Sequence, residues 1–109
     1  MMSRRRAAPL RFVDPFDPLD GPIADTIDLH GFRREEARLR VIAVVTSAHR
    51  KQRGELIHII TGKGRHSPDG AVLKGAVKTV LKGDVAPMIK AFGPDLDDGG
   101  YLVRVRQGD

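Results

Sequence analysis

The alternation of apolar and polar positions predicts two helices and four strands. Residues 26–30 alternate strictly, with Ile27 and Leu29 on one side, which is typical of a half-buried strand. In residues 33–53 apolar positions recur at helical spacing, with acidic residues at the start and basic residues at the end, as the helix dipole favours. A stripe of apolar residues that follows a helix-capping sequence predicts a second helix at 67–82. Three short runs rich in β-branched residues predict strands at 56–61, 85–92 and 101–106.

This order of elements, β-α-β-α-β-β, predicts an α/β fold. Strands that alternate with helices of this length are joined by right-handed crossovers, so the sheet should be partly parallel. We therefore expect a two-layer sandwich in which a mixed four-stranded sheet carries both helices on one face. The other face of the sheet is expected to stay open.

The beginning of the chain differs from the rest in composition. Residues 1–24 contain four of the seven prolines and three aspartates, a pattern that prevents regular secondary structure. We therefore expect an irregular, proline-rich N-terminal arm at 1–24, whose apolar residues after Leu10 can dock on the domain. The folded domain is expected at residues 25–109.

Composition and charge narrow the classes of function. A chain of 109 residues suits one compact domain, and the absence of cysteine excludes disulfides and thiolate chemistry. No apolar run approaches the ~20 residues that cross a membrane, and no secretory signal is recognisable, so we expect a cytoplasmic protein. The net charge of +5 is concentrated in residues 33–90, which hold thirteen Lys and Arg against five Asp and Glu. A field of this sign favours DNA or RNA as the partner.

Asp28 and His30 are the first candidates for chemistry. Because they stand two residues apart on a predicted strand, their side chains should project from the same face. A carboxylate can hold a neighbouring imidazole in one orientation, and an imidazole can exchange protons near neutral pH. The same spacing also fits a simpler role, in which Asp28 caps the following turn and His30 only tops the strand.

A glycine-rich loop follows the second predicted strand. Thr61-Gly62-Lys63-Gly64 can bring backbone N–H groups close to a phosphate beside a lysine, although two glycines after a strand also make an ordinary tight turn. The loop lacks the spacing and the following Ser or Thr of a triphosphate-binding loop. Arg65, His66 and Ser67 connect it to a helix N-terminus, which also attracts phosphate.

Both candidates lie at the carboxyl ends of predicted strands, where open α/β sheets bind ligands. They are therefore expected to converge on one polar corner of the molecule. No compact set of three metal ligands accompanies them, so we assign no metal site. A hydrated Mg²⁺ held through Asp28 stays open as a cofactor.

The motifs together resemble the Smr (small MutS-related) family. The matching residues follow in order over roughly residues 26 to 106, and they are Asp28-Leu29-His30-Gly31, Glu36-Ala37, Ile59 to Gly64, His66-Ser67-Pro68, Gly70 and Leu73-Lys74. One departure lies near the end, where the family tends to have Gly-Gly-x-Gly-Ala and this chain has Gly99-Gly100-Tyr101-Leu102-Val103. The missing third glycine puts the shape of the final turn in question.

The resemblance implies a sandwich similar to the C-terminal domain of a bacterial translation initiation factor, and an activity of nicking or cleaving DNA or RNA. It assigns Asp28 and His30 to cleavage, and it assigns the glycine loop to nucleic-acid binding. The binding residues expected on this basis are Gly31, Arg33, Thr61, Gly62, Lys63, Gly64, Arg65, His66, Ser67 and Lys74.

The preferred interpretation is an endonuclease in which the Asp-x-His pair acts in proton transfer while the loop holds backbone phosphate. RNA would supply its own 2′-hydroxyl nucleophile without a metal, whereas DNA would need an activated water. The alternative is a non-catalytic module that docks on RNA, DNA or a ribosome through the same face. In a third interpretation the basic face is only a solvated surface. It predicts no salt-sensitive binding to either nucleic acid.

Overall fold

The computed structural model describes residues 17–62, 68–96 and 99–107. Its elements, in chain order, are β1 (Asp25–Asp28), α1 (Arg34–Lys51), β2 (Leu56–Ile60), α2 (Pro68–Lys82), β3 (Ile89–Pro94) and β4 (Gly100–Val105). The prediction of an α/β fold in the order β-α-β-α-β-β is confirmed. The bounds of most elements differ from the predicted ones only at their ends.

The four strands form one mixed sheet in the order β1-β2-β4-β3. β1 and β2 are parallel, with Asp28 beside Ile60, and they are joined through α1 because a parallel pair needs a long crossover connection. β4 pairs antiparallel with both β2 and β3. As a result, the carboxyl ends of β1 and β2 meet the amino end of β4 at one edge of the sheet.

Both helices pack on the same face of the sheet, as predicted. Every third or fourth residue of each helix, and every second residue of the strands, contributes to one apolar cluster. Its members include Ala37, Val41, Val45 and Ala48 of α1, Leu73, Val77, Val80 and Leu81 of α2, and Ile27, Ile57, Ile59, Val103 and Val105 of the strands. Neither of the described helices is long and apolar enough to span a membrane.

An ion-pair network ties α1 to the turn that follows α2. The Arg38 guanidinium donates hydrogen bonds to the carboxylates of Asp84 and Glu35, each at 2.9 Å. The hydrogen bond and the charge of Asp84, followed by the charge of Glu35, raise the pKa of Arg38 above its ordinary value. Because these side chains are solvent-exposed, the network contributes little to stability.

The face opposite the helices is not open, contrary to the expectation from the sequence. Arg104 alternates away from the apolar cluster and donates to the main-chain oxygens of Pro18, Asp20 and Gly54 at 2.8, 2.7 and 2.7 Å. Burial lowers the pKa of Arg104 from its ordinary value. Residues 17–24, which form no helix or strand, are thereby fastened across part of this face.

Apolar side chains on the same face are also covered. A Cβ on Gly93 would lie 2.9 Å from Cδ1 of Leu19, so Leu19 rests directly on the sheet. Leu56 and Leu102 are almost fully buried although they stand outside the cluster under the helices. The described part of the arm therefore docks on the sheet, while residues 1–16 of the predicted arm lie outside the described residues.

The prediction of a strand at 85–92 is wrong in its first part. Val85 lies in a turn and Ala86–Met88 forms a short 3-10 helix, so β3 begins at Ile89. The Met88 N–H donates to the Val85 carbonyl at 2.8 Å, and Pro87 has no N–H to offer to a strand ladder. Val85 is fully buried all the same, because its side chain fills the core from the turn.

Candidate functional site

The candidate residues that the structure describes meet at the edge where β1 and β2 end. The Leu29 N–H donates to the Ile60 carbonyl at 2.8 Å, so the parallel pairing continues one residue beyond β1. Residues 30–31 therefore leave β1 beside residues 61–62, which leave β2. The two predicted motifs come together at the position where open α/β sheets bind ligands.

The turn after β1 is held by its own side chains. Asp28 Oδ1 accepts the backbone N–H of His30 at 2.9 Å, and Glu36 Oε1 accepts the backbone N–H of Arg33 at 2.9 Å. The second bond caps the start of α1. Gly31 has a φ of 84°, in the left-handed region that glycine adopts without strain. This turn is thus stabilised by contacts between residues two or three apart.

The side chains of Asp28 and His30 are both exposed, as the alternation predicts. β1 ends at Asp28, however, so His30 stands on the turn and not on the strand. The carboxylate of Asp28 contacts the backbone of His30 rather than its imidazole, which corresponds to the simpler turn-capping role considered for it. Within the described residues the imidazole of His30 forms no hydrogen bond or ion pair.

The segment after β2 is held from a distant part of the chain. The Gly99 carbonyl accepts the N–H groups of Thr61 and Gly62 at 2.8 and 3.0 Å, and the Thr61 hydroxyl at 3.3 Å. A Cβ on Gly62 would lie 4.0 Å from Cα of Gly70, so this segment passes close to the start of α2. Because both N–H groups are already bonded, Thr61 and Gly62 support the glycine loop and do not offer these donors to a phosphate.

Gly100 allows β4 to lie close to β2 at this edge. A Cβ at Gly100 would overlap the carbonyl oxygen of Ile59, so glycine is the residue that fits. Leu102, where the sequence departs from the family pattern, is buried within β4 opposite His58. The departure therefore lies in the packing of the sheet face, while Gly99, which bonds the segment after β2, and Gly100, which lies against β2, are both present.

The remaining predicted binding residues are only partly described. Outside the described residues lie Lys63, Gly64, Arg65, His66 and Ser67. Arg33 is exposed just before α1, and Lys74 lies in α2, where its carbonyl accepts the Tyr101 hydroxyl at 3.2 Å. α1 begins at Arg34, directly after the turn that follows β1, and Gly70 in the first turn of α2 lies close to Gly62, so both helices start near this edge. The positive ends of two helix dipoles therefore lie at the site.

One pair of polar side chains near the site was not predicted from the sequence. Asp95 Oδ2 lies 2.8 Å from Nε2 of His58, and Asp95 Oδ1 accepts the backbone N–H of Gly99 at 2.9 Å. Alternation along β2 places His58 on one face of the sheet but gives it no partner, because Asp95 lies 37 residues further along. The signal available in the sequence was that Asp95 stands four residues before Gly99 in a turn, where an aspartate side chain can accept a backbone N–H.

Within residues 17–62, 68–96 and 99–107, no three of the His, Asp and Glu side chains lie close enough together to hold a metal ion. The family model described as Smr domain matches residues 27–101. This range contains the two connections at the site, which are the turn after β1 and the segment after β2, and the glycines that support them. A search of curated proteins finds no match.

Proposed function

Because the chain belongs to the Smr domain family, whose domain is associated with nuclease and nucleic-acid-binding activity, we propose that it is an endonuclease. The observation that supports this proposal is the bond from the Leu29 N–H to the Ile60 carbonyl, which brings residues 30–31 beside residues 61–62. A nuclease needs a proton-transferring group next to the donors that hold the phosphate. In this proposal the turn after β1 supplies the proton-transferring group, and the connection after β2 supplies the donors that hold the phosphate.

In this proposal His30 transfers the proton. Its exposed imidazole can approach a substrate, and the bond from the His30 N–H to Asp28 fixes the backbone from which it projects. On RNA, the imidazole takes the 2′-hydroxyl proton, the 2′-oxygen bonds to the adjacent phosphorus, and the 5′-oxygen leaves and takes up a proton. On DNA, a water must be activated in place of the 2′-hydroxyl.

The phosphate is held by the part of the loop that follows Gly62. Lys63 and Arg65 supply positive charge there, and Gly64, His66 and Ser67 complete the loop up to the start of α2. Arg33 and Lys74 extend the positive field on either side, together with the N-termini of both helices. Thr61, Gly62 and Gly31 shape the two connections and need not contact the substrate.

The decisive experiment compares His30→Ala with His49→Ala on a panel of single-stranded, duplex and hairpin RNA and DNA. His49 is the matched control because it lies in the last turn of α1, whereas His30 lies just before the start of this 18-residue helix. We expect His30→Ala to lower the cleavage rate by about a hundredfold or more, which is the usual contribution of a proton-transferring side chain. Binding of the uncleaved substrate should stay within about twofold of the wild type.

Cleavage at the wild-type rate by His30→Ala would contradict the role of His30, and absence of cleavage by the wild type on the whole panel would contradict the endonuclease. Adding EDTA to the wild-type reaction separates the two chemical routes. Cleavage through the 2′-hydroxyl continues in EDTA, whereas a metal-activated water is lost and returns with Mg²⁺.

A non-catalytic module that binds RNA, DNA or a ribosome is the second candidate. The contact that favours it is the bond between Asp28 and the His30 backbone, since it gives Asp28 a structural role that requires no chemistry. This function predicts binding whose affinity falls steeply with salt, without any cleavage, whereas a merely solvated face predicts no such binding.

A further inference from the structure

We infer that Asp95 is a positioning residue of the nucleic-acid site, because its carboxylate sets the direction in which the chain enters the glycine loop. The inference deepens the proposed function and rests on it. Asp95 acts through Gly99 on Thr61 and Gly62, and it is not itself expected to contact the substrate. Each step of this connection is a hydrogen bond between described residues.

The carboxylate of Asp95 is held on two sides. Oδ1 accepts the Gly99 N–H at 2.9 Å, and Oδ2 lies 2.8 Å from Nε2 of His58 on β2, the strand on the far side of β4. The Asp95 side chain is only 10% exposed, and that of His58 only 24%. A carboxylate with a bonded partner on each oxygen has one orientation left, and hydrogen bonds to an ionised group are among the stronger ones in proteins. Gly99 therefore has a fixed anchor.

Gly99 passes this constraint to the segment after β2. Its carbonyl accepts the N–H groups of both Thr61 and Gly62, and the Thr61 hydroxyl as well. Thr61 is 2% exposed, so these bonds are formed where water cannot easily replace them. Gly62 is the last described residue of the glycine loop before Lys63, and its backbone N–H is held by Gly99.

The role of Asp95 goes beyond stabilising the turn between β3 and β4. The base of that turn is closed by the backbone, since the Asp95 N–H donates to the Gly100 carbonyl at 3.1 Å. Strands β3 and β4 pair along their length as well. A variant that lacks only the carboxylate keeps these backbone bonds, while Gly99 loses its side-chain anchor. The part of the molecule that should respond is the segment at Thr61 and Gly62.

The test is Asp95→Ala, measured by cleavage kinetics and by hydrogen exchange of individual backbone amides. Loss of a hydrogen bond to a charged group should raise KM about tenfold and leave kcat within about twofold, because a displaced phosphate-binding loop weakens binding of the ground state and the transition state alike. The amides of Thr61 and Gly62 should exchange about tenfold faster. Asp95→Asn, which keeps an acceptor oxygen for Gly99, should restore both values to within about threefold of the wild type.

Asp84→Ala is the matched control. It removes another aspartate that stands in a turn and pairs with a basic side chain, but one that contacts Arg38 and not Gly99. We expect no change of KM and no change of exchange at Thr61 and Gly62 in this variant. A fall of kcat at constant KM in Asp95→Ala would indicate a loss of folded protein only, and it would overturn the inference.

Two further measurements keep the test decisive. If Asp95→Ala does not fold, His58→Leu removes the other partner of the carboxylate and should speed exchange at Thr61 and Gly62 about threefold. Exchange at the wild-type rate would then overturn the inference. If the wild type cleaves nothing, the dissociation constant for a single-stranded RNA or DNA replaces KM. Failure of the endonuclease is thereby distinguished from failure of the positioning role.

Discussion

The two connections that meet at the same edge of the sheet are held in different ways. The turn after β1 is fixed by Asp28 and Glu36, which bond to backbone N–H groups two and three residues away. The segment after β2 is fixed by Gly99, which lies 38 residues from Thr61. A local turn can form wherever its own residues are present, whereas the second geometry exists only after β4 has joined the sheet. Half of the site is thus encoded locally and half depends on the complete fold.

The strongest way to break the distant support is Gly100→Ala. The added Cβ would overlap the Ile59 carbonyl oxygen, so β4 must move away from β2. We expect the free energy of unfolding, measured by urea denaturation, to fall by about 3 kcal/mol. The matched control is Gly75→Ala on α2, where a Cβ meets nothing within 4 Å; there we expect a gain of about 0.5–1 kcal/mol from better helix propensity. Equal effects of the two changes would contradict the close approach of β4.

A smaller effect is expected when the local turn is broken by Asp28→Ala. This variant leaves the His30 N–H without its acceptor and should cost about 1 kcal/mol, as the loss of a capping side chain does. Asp25→Ala, an exposed aspartate on the same strand with no bonded partner in the described part of the chain, should change stability by less than about 0.5 kcal/mol.

Asp28→Asn separates the turn from the chemistry. Its side-chain oxygen can still accept the His30 N–H, so stability should stay close to that of the wild type. If cleavage also stays close to the wild-type rate, Asp28 acts only by shaping the turn. If cleavage falls while stability is kept, the negative charge itself contributes to the reaction. Either result shows whether Asp28 acts through the shape of the turn or through its negative charge.

The smallest effect is expected at the start of α1. Glu36→Ala removes the acceptor for the Arg33 N–H and one acidic group from the first helical turn, which should cost about 0.5 kcal/mol. Glu36→Gln keeps the acceptor and should lose roughly half as much. Thermal unfolding of both variants measures the difference. A larger loss than in Gly100→Ala would reverse the order of local and distant support.

The same contrast explains how much could be predicted from the sequence. The helices, the strands and the meeting of the two motifs follow from hydrophobic periodicity and from the rule for carboxyl ends of strands, which are properties of short segments. The capping of the turn by Asp28 was one of two roles that its spacing allowed. These features depend on residues that are neighbours in the chain.

What could not be predicted depends on residues brought together by the fold. The contacts of Gly99 with Thr61 and of Asp95 with His58 require the order of strands in the sheet, which periodicity does not determine. The cover on the second face of the sheet likewise depends on Arg104 reaching carbonyls more than 80 residues earlier. At Val85 the apolar composition suited a strand, but the turn bonds and Pro87 decided otherwise.

The strand order has a consequence for how the candidate site is assembled during synthesis. β4 follows the other described strands in the chain and yet lies between β2 and β3, so this sheet cannot be completed until the residues up to Val105 have left the ribosome. The turn carrying His30 can form early, but Gly99 reaches Thr61 only when β4 inserts. The candidate site would therefore stay incomplete on the nascent chain and be assembled in one late step.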